Sequence, residues 1–370
     1  DMPILLARRA EHRAHVAGYF VGCRPQLMAY RVRPDDKLLE STRRAMDFLT
    51  GQDGMAVIGA SGIGEHWDNS QASHARFGET CGTAHLLWVL EEMLRLEGDS
   101  RYGDLMERTI FNALFAAQSP DGRRLRYFMP FQGPRVYYHR DDYCCPCNFR
   151  RIVADLPAMI YYRSDGGLAV NLYTASEAEL PLDGARRLAV RQETDYPNSG
   201  RVVLHVDPTE EAEFPVRLRI PTWSGGAKVT VNGKLAAETS SAGSFLTLRR
   251  LWKPGDRIEL RMPMPWRLIK GRKAQAGRVA VMRGPLVFCL NRSRHQGLDL
   301  SADLTKVVID PTSLDGPIRD TTVRPEGLAC RVRAFRPDLD PKSAKADLEL
   351  LVTEFADPGG DATFLLVPDP

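Results

Sequence analysis

The sequence predicts an α-helical domain followed by one or two β-sandwiches. Ahead of about residue 165, apolar residues recur at the spacing of helices, whereas after the turn "RSDGG" they alternate or run in short blocks between turn residues. The length of 370 residues exceeds the size at which one hydrophobic core usually stops growing, so two or more domains are expected. Helices that precede strands in this way are typical of separate α and β domains.

Four segments of the first part have helical periodicity. Residues 3–31 and 36–50 form the first two. In "AHLLWVLEEMLRLEGD", Leu87 and Leu90 lie on one stripe and Gly98 is placed to end the helix. "RYGDLMERTIFNALFAAQ" repeats the pattern, and "SPDG" closes it as a turn.

Six segments of the second part have the patterns of strands. They are "LAVNLYT", "RVVLHVDP", "FPVRLRIP", "AKVTVNG", "SFLTLRRL" and "DRIELRMP". "TVNGKL" contains the Asn-Gly pair that favours a tight hairpin. The predicted domains are a helical part over residues 1–164, a β-sandwich over 165–290 and a β-rich or irregular extension over 291–370.

Composition and charge exclude several classes of partner. Apolar residues make up 43% and charged residues 26% of the chain, as in an ordinary globular protein. Lys and Arg number 50 against 47 Asp and Glu, and the net charge is only +3. Nucleic acid and anionic membranes are therefore not expected as partners. No apolar run approaches the length of a membrane span and no signal peptide is visible, so a cytoplasmic location in a bacterium is expected.

Two short stretches combine a carboxylate with a high density of thiols. "GETCGTAHLLW" places Glu79 two residues before Cys81, and "DDYCCPCNF" contains Cys144, Cys145 and Cys147 in a chain that has seven cysteines. Deprotonated Glu and Cys are metal ligands, and thiolate-rich sites favour zinc or iron–sulfur clusters. The alternative is an ordinary reduced cytosolic protein with buried cysteines.

Backbone geometry restricts how these side chains can converge. Cys144 and Cys145 would point to opposite faces of a regular strand, and Pro146 favours an extended or turn conformation before it, so we expect an irregular loop. Glu79 and Cys81 would diverge by about 200° on a helix, so we expect them at a turn that leads into one. Two such turns facing each other would supply one Glu and three Cys, a tetrahedral ligand set.

Four motifs follow one another along the chain, namely "GETC", "LRLEGDSRYGDLMERTIFNALFAAQSPDGRRLRYFMPF", "CCPCN" and "VMRGPLVFCLN". Together they resemble the β-L-arabinofuranosidases of glycoside hydrolase family 127 and their relatives in family 146, from about residue 10 to about residue 290. The resemblance implies an (α/α) barrel followed by β-sandwich domains. A full barrel needs roughly twice the helices that residues 1–162 provide, so we expect an incomplete barrel in an α-then-β multidomain chain.

The resemblance also implies a zinc site and a nucleophile. The zinc ligands would be Glu79 and Cys81 of the E-T-C motif together with the adjacent pair Cys144 and Cys145. Cys144 would also be the catalytic nucleophile. Cys147 departs from the family, which has Pro or a small residue at that position.

The chemistry of zinc makes a thiolate nucleophile reasonable. A free thiol is mostly protonated at neutral pH, whereas a bound Zn²⁺ holds it as a thiolate. Three thiolates and a carboxylate more than neutralise the ion, which weakens each Zn–S bond and leaves the sulfur electron-rich. Attack of Cys144 on an anomeric carbon would give a thioglycosyl intermediate and net retention of configuration. The alternative is that a closed four-ligand zinc site is structural.

Glu65 in "GASGIGEHWDN" is the predicted general acid/base. Gly62 and Gly64 allow the backbone beside it to approach a ligand, and the resemblance places the acid/base at a G-E motif ahead of E-T-C. The alternative for Glu65 is a solvated loop carboxylate.

Three residues are predicted to contact the substrate. The resemblance implies His15 in "EHRAHVAGY", which would reach substrate hydroxyls, and Tyr127 in "RLRYFMPF", which would lie beside the subsite. Trp67, two residues after Glu65, would stack on a sugar ring. For all three, the alternative is a core residue, with a satisfied polar tip in the case of His15 and Tyr127.

These inferences predict a zinc-dependent retaining glycosidase that acts on β-L-arabinofuranosides or similar plant-derived sugars. The alternative is a non-catalytic, zinc-stabilised carbohydrate-binding remnant of such an enzyme. The expected cofactor is Zn²⁺, and the expected partner is an oligosaccharide or glycoside. The incomplete barrel further predicts that an N-terminal segment, or a second copy in a homodimer, completes it.

Overall fold

The computed structural model describes residues 15–140, 143–182, 184–239, 241–298, 300–301 and 303–368 of the protein. Its helices are α1 (Val16–Val32), α2 (Lys37–Gly51), α3 (Thr80–Glu97), α4 (Ser100–Arg108), α5 (Phe115–Ala117) and α6 (Cys144–Asp155). A π-helical segment, Thr109–Leu114, joins α4 to α5, and 3-10 helices occur at Leu156–Met159, Lys273–Gln275, Arg292–His295 and Leu304–Lys306. None of the described helices is both long enough and apolar enough to cross a membrane.

The strands form three sheets. The first has the order β1-β2-β6-β9 and contains β1 (Tyr161–Ser164), β2 (Gly167–Val170), β6 (Ala212–Ile220) and β9 (Ser244–Trp252). The second has the order β3-β4-β5-β10-β7-β8 and contains β3 (Ser176–Pro181), β4 (Arg187–Thr194), β5 (Arg201–Pro208), β10 (Asp256–Arg261), β7 (Ala227–Val231) and β8 (Lys234–Thr239). The third has the order β11-β12-β13-β16-β15-β14, with β17 (Phe364–Leu366) also paired with β12. Its other strands are β11 (Trp266–Lys270), β12 (Arg278–Arg283), β13 (Leu286–Leu290), β16 (Leu348–Glu354), β15 (Leu328–Ala334) and β14 (Asp315–Arg319).

The described residues group into two compact units, each built from discontinuous segments. Unit 1 contains the residues up to Glu92, Arg108–Ile152 and the residues from Trp266 onward. Unit 2 contains Met93–Glu107 and Val153–Pro265. The predicted division at residues 164 and 290 stays a prediction, and the pairing of β13 with β16 across residue 290 is a reason to test it.

The β-rich second part agrees with the sequence pattern. Alternation in "RVVLHVDP" and "DRIELRMP" corresponds to β5 and β10, which pair antiparallel. The predicted hairpin is β7–β8, where Val231 pairs with Lys234. Its turn residues Asn232 and Gly233 have φ of 51° and 78°, as a two-residue hairpin turn with positive φ at both positions requires.

The described helices α1 to α5 of the first part lie where the sequence predicts them, but one segment is not an α-helix. Residues 36–50 form α2 and the end of the predicted segment 3–31 forms α1, whereas residues 3–14 lie outside the described part of the chain. The regular helix predicted through "RYGDLMERTIFNALFAAQ" is wrong, because Thr109–Leu114 is π-helical. In this segment the Ala113 N–H donates to the Ile58 carbonyl at 3.3 Å, which diverts a donor from the α-helical ladder.

The π-helical segment is tied to the third sheet of unit 1 through Asn112. Its side-chain amide donates to the Pro285 carbonyl at 2.9 Å, and its Oδ1 accepts from the Val287 N–H at 2.8 Å. The motif "VMRGPLVF" therefore contacts the helical segments of unit 1. It does so as a hairpin, because Met282 of β12 pairs with Val287 of β13.

Unit 2 contains a buried ionic network centred on Arg219 of β6. The Arg219 side chain is 0% exposed; its Nη1 lies 2.5 Å from Asp104 Oδ1 and its Nη2 lies 2.8 Å from Glu107 Oε1. The Tyr196 hydroxyl also donates to Glu107 Oε1, at 2.5 Å. These hydrogen bonds satisfy charges that would be costly to bury alone.

Replacing Arg219 with Met is expected to lower the free energy of unfolding by about 3–5 kcal/mol, because it leaves Glu107 buried without a counter-charge. Arg217→Met on the same strand is the matched control, since Arg217 pairs with the solvent-exposed Asp165. That control should change the free energy by less than about 1 kcal/mol. Urea unfolding followed by circular dichroism compares the two, and equal losses would contradict the assignment.

Candidate functional site

Four potential ligand atoms from two distant parts of unit 1 meet at one place. One ligand atom each from Glu79, Cys81, Cys144 and Cys145 lies within 4.8 Å of every other. The Sγ atoms of Cys81 and Cys145 are 3.4 Å apart, and Cys144 Sγ is 4.0 Å from Glu79 Oε1. We name these four residues the thiol–carboxylate cluster; they are the ones predicted to bind a metal.

The first half of the cluster lies where α3 begins. Gly78 has φ +67°, a left-handed conformation that favours glycine, and it turns the chain into the helix. The Glu79 carbonyl accepts the Thr83 N–H at 3.0 Å, so Glu79 stands at the helix entry and Cys81 lies in the first turn. The predicted placement of both residues at a turn leading into a helix is therefore confirmed.

The second half of the cluster lies where α6 begins. Cys144 is the first residue of this helix and Cys145 the second. The prediction of an irregular loop here is wrong, because Pro146 falls in the first helical turn, where its missing N–H has no helical partner to lose. Cys145 is 0% exposed, whereas Cys144 and Cys147 are exposed.

Both halves of the cluster thus sit at helix N-termini. The unsatisfied N–H groups and the positive dipole end of a helix favour negative charge within the first turn. Two such ends meeting at one place therefore favour a carboxylate and bound thiolates there.

Packing four acidic groups together has the opposite effect on their ionisation. Two causes raise the pKa of the Glu79 carboxyl to about 7: burial, which is the larger, and the negative charge of Glu65. Burial also raises the pKa of the Cys144 thiol to about 11. The hydrogen bond with Cys145 is the largest cause, and burial the second, that raises the pKa of the Cys81 thiol far above its usual range. These groups lose their protons together only when a cation balances their charge.

The cluster could hold a metal ion. Glu79 Oε2 is buried and accepts no hydrogen bond from the described residues, although His15 Nε2 lies 4.0 Å from it. A buried acceptor without a donor is costly, and a cation would remove that cost. Thiolate sulfurs and carboxylate oxygens, four in number, are also donors of the kind found in tetrahedral zinc sites.

A second group of polar residues borders the cluster on the side of Glu79. His15 Nε2 is 3.6 Å from Glu65 Oε2, and the Tyr127 hydroxyl donates a hydrogen bond to Glu65 Oε1. His15 Nδ1 accepts the Gly18 N–H at 3.2 Å, so a neutral His15 carries its proton on Nε2, which faces both carboxylates. The structure therefore brings the predicted residues Glu65, His15 and Tyr127 together.

The loop that carries Glu65 has an unusual backbone. Gly62 and Gly64 have φ of +86° and +56°, and Glu65 itself has φ +72°. A Cβ on Gly62 would lie 2.8 Å from Val16 Cγ2 and 2.9 Å from the His66 carbonyl oxygen, so only glycine fits there. A glutamate held in the left-handed region is the kind of local strain that concentrates at functional sites.

Trp67 does not join this group. Its side chain is 8% exposed, and its ring makes edge-on contacts with Tyr19, Phe20 and Phe48 at centroid distances of 5.3 Å. These contacts favour the packing alternative for Trp67 over contact with a sugar.

Three residues near the site had no predicted role. Asn148 donates from Nδ2 to Cys81 Sγ at 3.2 Å, and its position one helical turn after Cys144 and Cys145 was the available signal. Tyr143 stacks on Tyr127, with ring centroids 5.4 Å apart, and Tyr138 contacts both. Tyrosines of one loop give no comparable signal, because their meeting depends on tertiary structure.

Two family models match the chain. The model described as the β-L-arabinofuranosidase GH127 catalytic domain matches residues 11–158, and the model of the GH127 middle domain matches residues 167–264. A non-reducing end β-L-arabinofuranosidase from Bifidobacterium longum subsp. longum is 30% identical over 329 residues, which cover 80% of this chain and 48% of that protein. The chain therefore spans about half the length of this curated relative.

Solved structures give the same assignment. The crystal structure of a GH127 β-L-arabinofuranosidase from Geobacillus stearothermophilus T6 matches with a TM-score of 0.84 at 25% identity, over 96% of this chain and 60% of that one. A second GH127 β-arabinofuranosidase, 23% identical, shares the fold with a TM-score of 0.83 over 96% of this chain and 60% of its own. From the two family models, the curated relative and these shared folds, the chain belongs to glycoside hydrolase family 127.

Proposed function

We propose that this chain carries the catalytic centre of a retaining glycosidase that acts on β-L-arabinofuranosides or similar plant-derived sugars. The observation that supports the proposal is the solvent-exposed thiol of Cys144, held in the thiol–carboxylate cluster beside Glu65. The relative from Bifidobacterium longum is named a non-reducing end β-L-arabinofuranosidase, which supports this class of sugar.

The cofactor of this proposal is zinc, held by Glu79, Cys81, Cys144 and Cys145. When bound, zinc keeps the three thiols as thiolates at neutral pH. Asn148 orients Cys81 by donating to its sulfur at 3.2 Å, and the first turns of α3 and α6 hold the four side chains in place. Cys145 and Cys81 are buried, so Cys144 is the thiol that a substrate can reach.

The reaction proceeds in two steps in this proposal. Cys144 Sγ forms a bond to the anomeric carbon while the glycosidic C–O bond breaks, and the Glu65 carboxyl transfers its proton to the departing oxygen. A water then attacks the same carbon as Glu65 takes a proton from it, and the C–S bond breaks to return the Cys144 thiolate. Two displacements give retention of configuration.

Tyr127 and His15 serve this reaction by placing Glu65. The Tyr127 hydroxyl donates a hydrogen bond to Oε1 of Glu65, and Nε2 of His15 lies 3.6 Å from the other oxygen, Oε2. Burial raises the pKa of Tyr127 beyond its usual range, so Tyr127 acts as a hydrogen-bond donor throughout. His15 is 44% exposed at its side chain and can also contact a sugar hydroxyl.

The broader architecture forms part of the proposal. The helical part, residues 1–164, is assigned to an incomplete (α/α) barrel, and residues 165–290 and 291–370 to β-rich domains that follow it. The bacterial cytoplasm is the proposed location.

The test of this function is zinc analysis and activity on one preparation. Protein purified under reducing conditions should contain about one zinc per chain and should release the aglycone from an aryl β-L-arabinofuranoside with retained configuration, which NMR of the first product detects. Protein without zinc would overturn the metal assignment. Zinc without turnover would favour the second candidate, a non-catalytic carbohydrate-binding remnant, which the closed set of four donors supports.

Changing Cys147 to Ser is expected to leave the zinc content at that of the unchanged protein, because Cys147 is exposed and lies outside the thiol–carboxylate cluster among the described residues. Cys145→Ser, two positions away on the same helical turn, should lower the zinc content because it removes a buried donor. Inductively coupled plasma mass spectrometry measures both. A loss of zinc in the Cys147 variant and not in the Cys145 variant would exchange the two assignments.

A further inference from the structure

Three tyrosines form a continuous aromatic surface beside Glu65. The rings of Tyr127 and Tyr143 are stacked, with centroids 5.4 Å apart and planes at 15°. Tyr138 meets Tyr143 edge-on at 4.5 Å and Tyr127 edge-on at 5.4 Å. We name Tyr127, Tyr138 and Tyr143 the aromatic wall.

The aromatic wall is anchored at one point of the chain. The Tyr138 N–H donates to the Leu125 carbonyl at 2.9 Å, and the Tyr143 hydroxyl donates to the same carbonyl at 3.4 Å. Two tyrosines fixed to one backbone oxygen keep their relative orientation, so the wall is a preformed surface.

The wall also has an inner and an outer end. Tyr127 at the inner end donates its hydroxyl to Glu65, whereas Tyr138 at the outer end is 37% exposed. An exposed aromatic ring is a contact surface for the apolar face of a flat ligand.

We propose that Tyr138 and Tyr143 bind the leaving group of the substrate and so determine which leaving groups are accepted. The inference rests on the proposed function, in which Glu65 protonates the departing oxygen, so that the leaving group must start beside Glu65. The aromatic wall begins at that carboxyl group, through Tyr127, and its exposed ring is that of Tyr138. The chemistry it fits is a ring with an apolar face, either a second sugar or an aryl group.

The experiment compares two substrates of one glycone. Wild type, Tyr138→Ala and Tyr138→Phe are assayed on an aryl β-L-arabinofuranoside and on the methyl β-L-arabinofuranoside, whose leaving group has no ring. The ratio of kcat/KM for aryl over methyl should fall about tenfold in Tyr138→Ala, chiefly through KM. It should stay within about twofold of wild type in Tyr138→Phe, which keeps the ring. An unchanged ratio in Tyr138→Ala overturns the proposal, and equal zinc contents show that the fold of the site is intact.

A binding measurement separates this proposal from the proposed function. Saturation-transfer NMR with 4-nitrophenol alone reports contact with the wall without any turnover. Signal in wild type and Tyr138→Phe that disappears in Tyr138→Ala supports the subsite even if the chain hydrolyses neither glycoside. If the chain hydrolyses the glycosides but the 4-nitrophenol signals are equal in all three proteins, the proposed function stands and the subsite is refuted.

Discussion

Replacing Cys144 with Ser is expected to reduce glycosidase turnover by roughly 10⁴-fold or more, the scale seen when a covalent nucleophile is removed. Serine preserves the size of the side chain and its place at the start of α6. It loses the sulfur that ionises easily, and a hydroxyl remains protonated under the same conditions. The assay is the steady-state rate on an aryl β-L-arabinofuranoside.

Zinc content distinguishes loss of the nucleophile from loss of the site. Glu79, Cys81 and Cys145 remain as donors in Cys144→Ser, so zinc binding should weaken without disappearing. Cys147→Ser is the matched control, because it removes another exposed thiol from the same helical turn. The control should keep both zinc and turnover. A Cys144→Ser protein that turns over at the wild-type rate would show that Cys144 is a ligand only.

Replacing Glu65 with Gln is expected to lower the rate by roughly 10²- to 10⁴-fold on a disaccharide, whose leaving group needs a proton. The amide keeps the shape of the side chain but transfers no proton. On an aryl glycoside with an acidic leaving group the loss in the first step should be much smaller, because general acid catalysis then contributes little. Zinc content should not change, since Glu65 lies outside the thiol–carboxylate cluster.

The control for Glu65→Gln comes from the same loop. Asp68 accepts hydrogen bonds from the backbone N–H and the hydroxyl of Ser70, at 2.9 and 2.6 Å. Asp68→Asn should therefore leave the rates within about twofold, as surface substitutions away from special features usually do. Wild-type activity of Glu65→Gln on the disaccharide would remove Glu65 from the acid/base role.

Patterns along the chain were sufficient for several strands of the β-rich part, whereas β3 and β4 were not among the predicted segments. Strands such as β5 and β10 are read from alternation over a few residues, and the β7–β8 turn is read from the pair Asn232 and Gly233. Local patterns were insufficient at Thr109–Leu114, where the Ala113 N–H donates to the Ile58 carbonyl, an acceptor in a loop 55 residues earlier in the chain. The periodicity of apolar residues along a helix does not reveal such a contact.

The sequence also predicts the residue types at the site, but it does not predict the backbone conformation there. Glu79 and Cys81 lie together with Cys144 and Cys145, as the sequence predicts, and Gly78 lies at the turn into α3. The sequence predicts an irregular loop at Pro146, which is wrong, because Pro146 occupies a position in the first turn of α6 that proline tolerates. Trp67 is predicted to stack on a sugar ring, and its contacts with three aromatic rings, which local sequence does not reveal, favour the packing alternative.

By itself, the sequence determined the order of helices before strands, the tight hairpin, the residue types able to bind a metal and the membership of family 127. These features depend on neighbours within a few positions or on motifs in a fixed order. Only the tertiary structure decided that Cys81 and Cys145, 64 residues apart, lie 3.4 Å from each other and that two helix N-termini face the same point. It alone placed Tyr138 and Tyr143 against Tyr127, because the path of the loop that carries them, and not local propensity, brings those rings into contact.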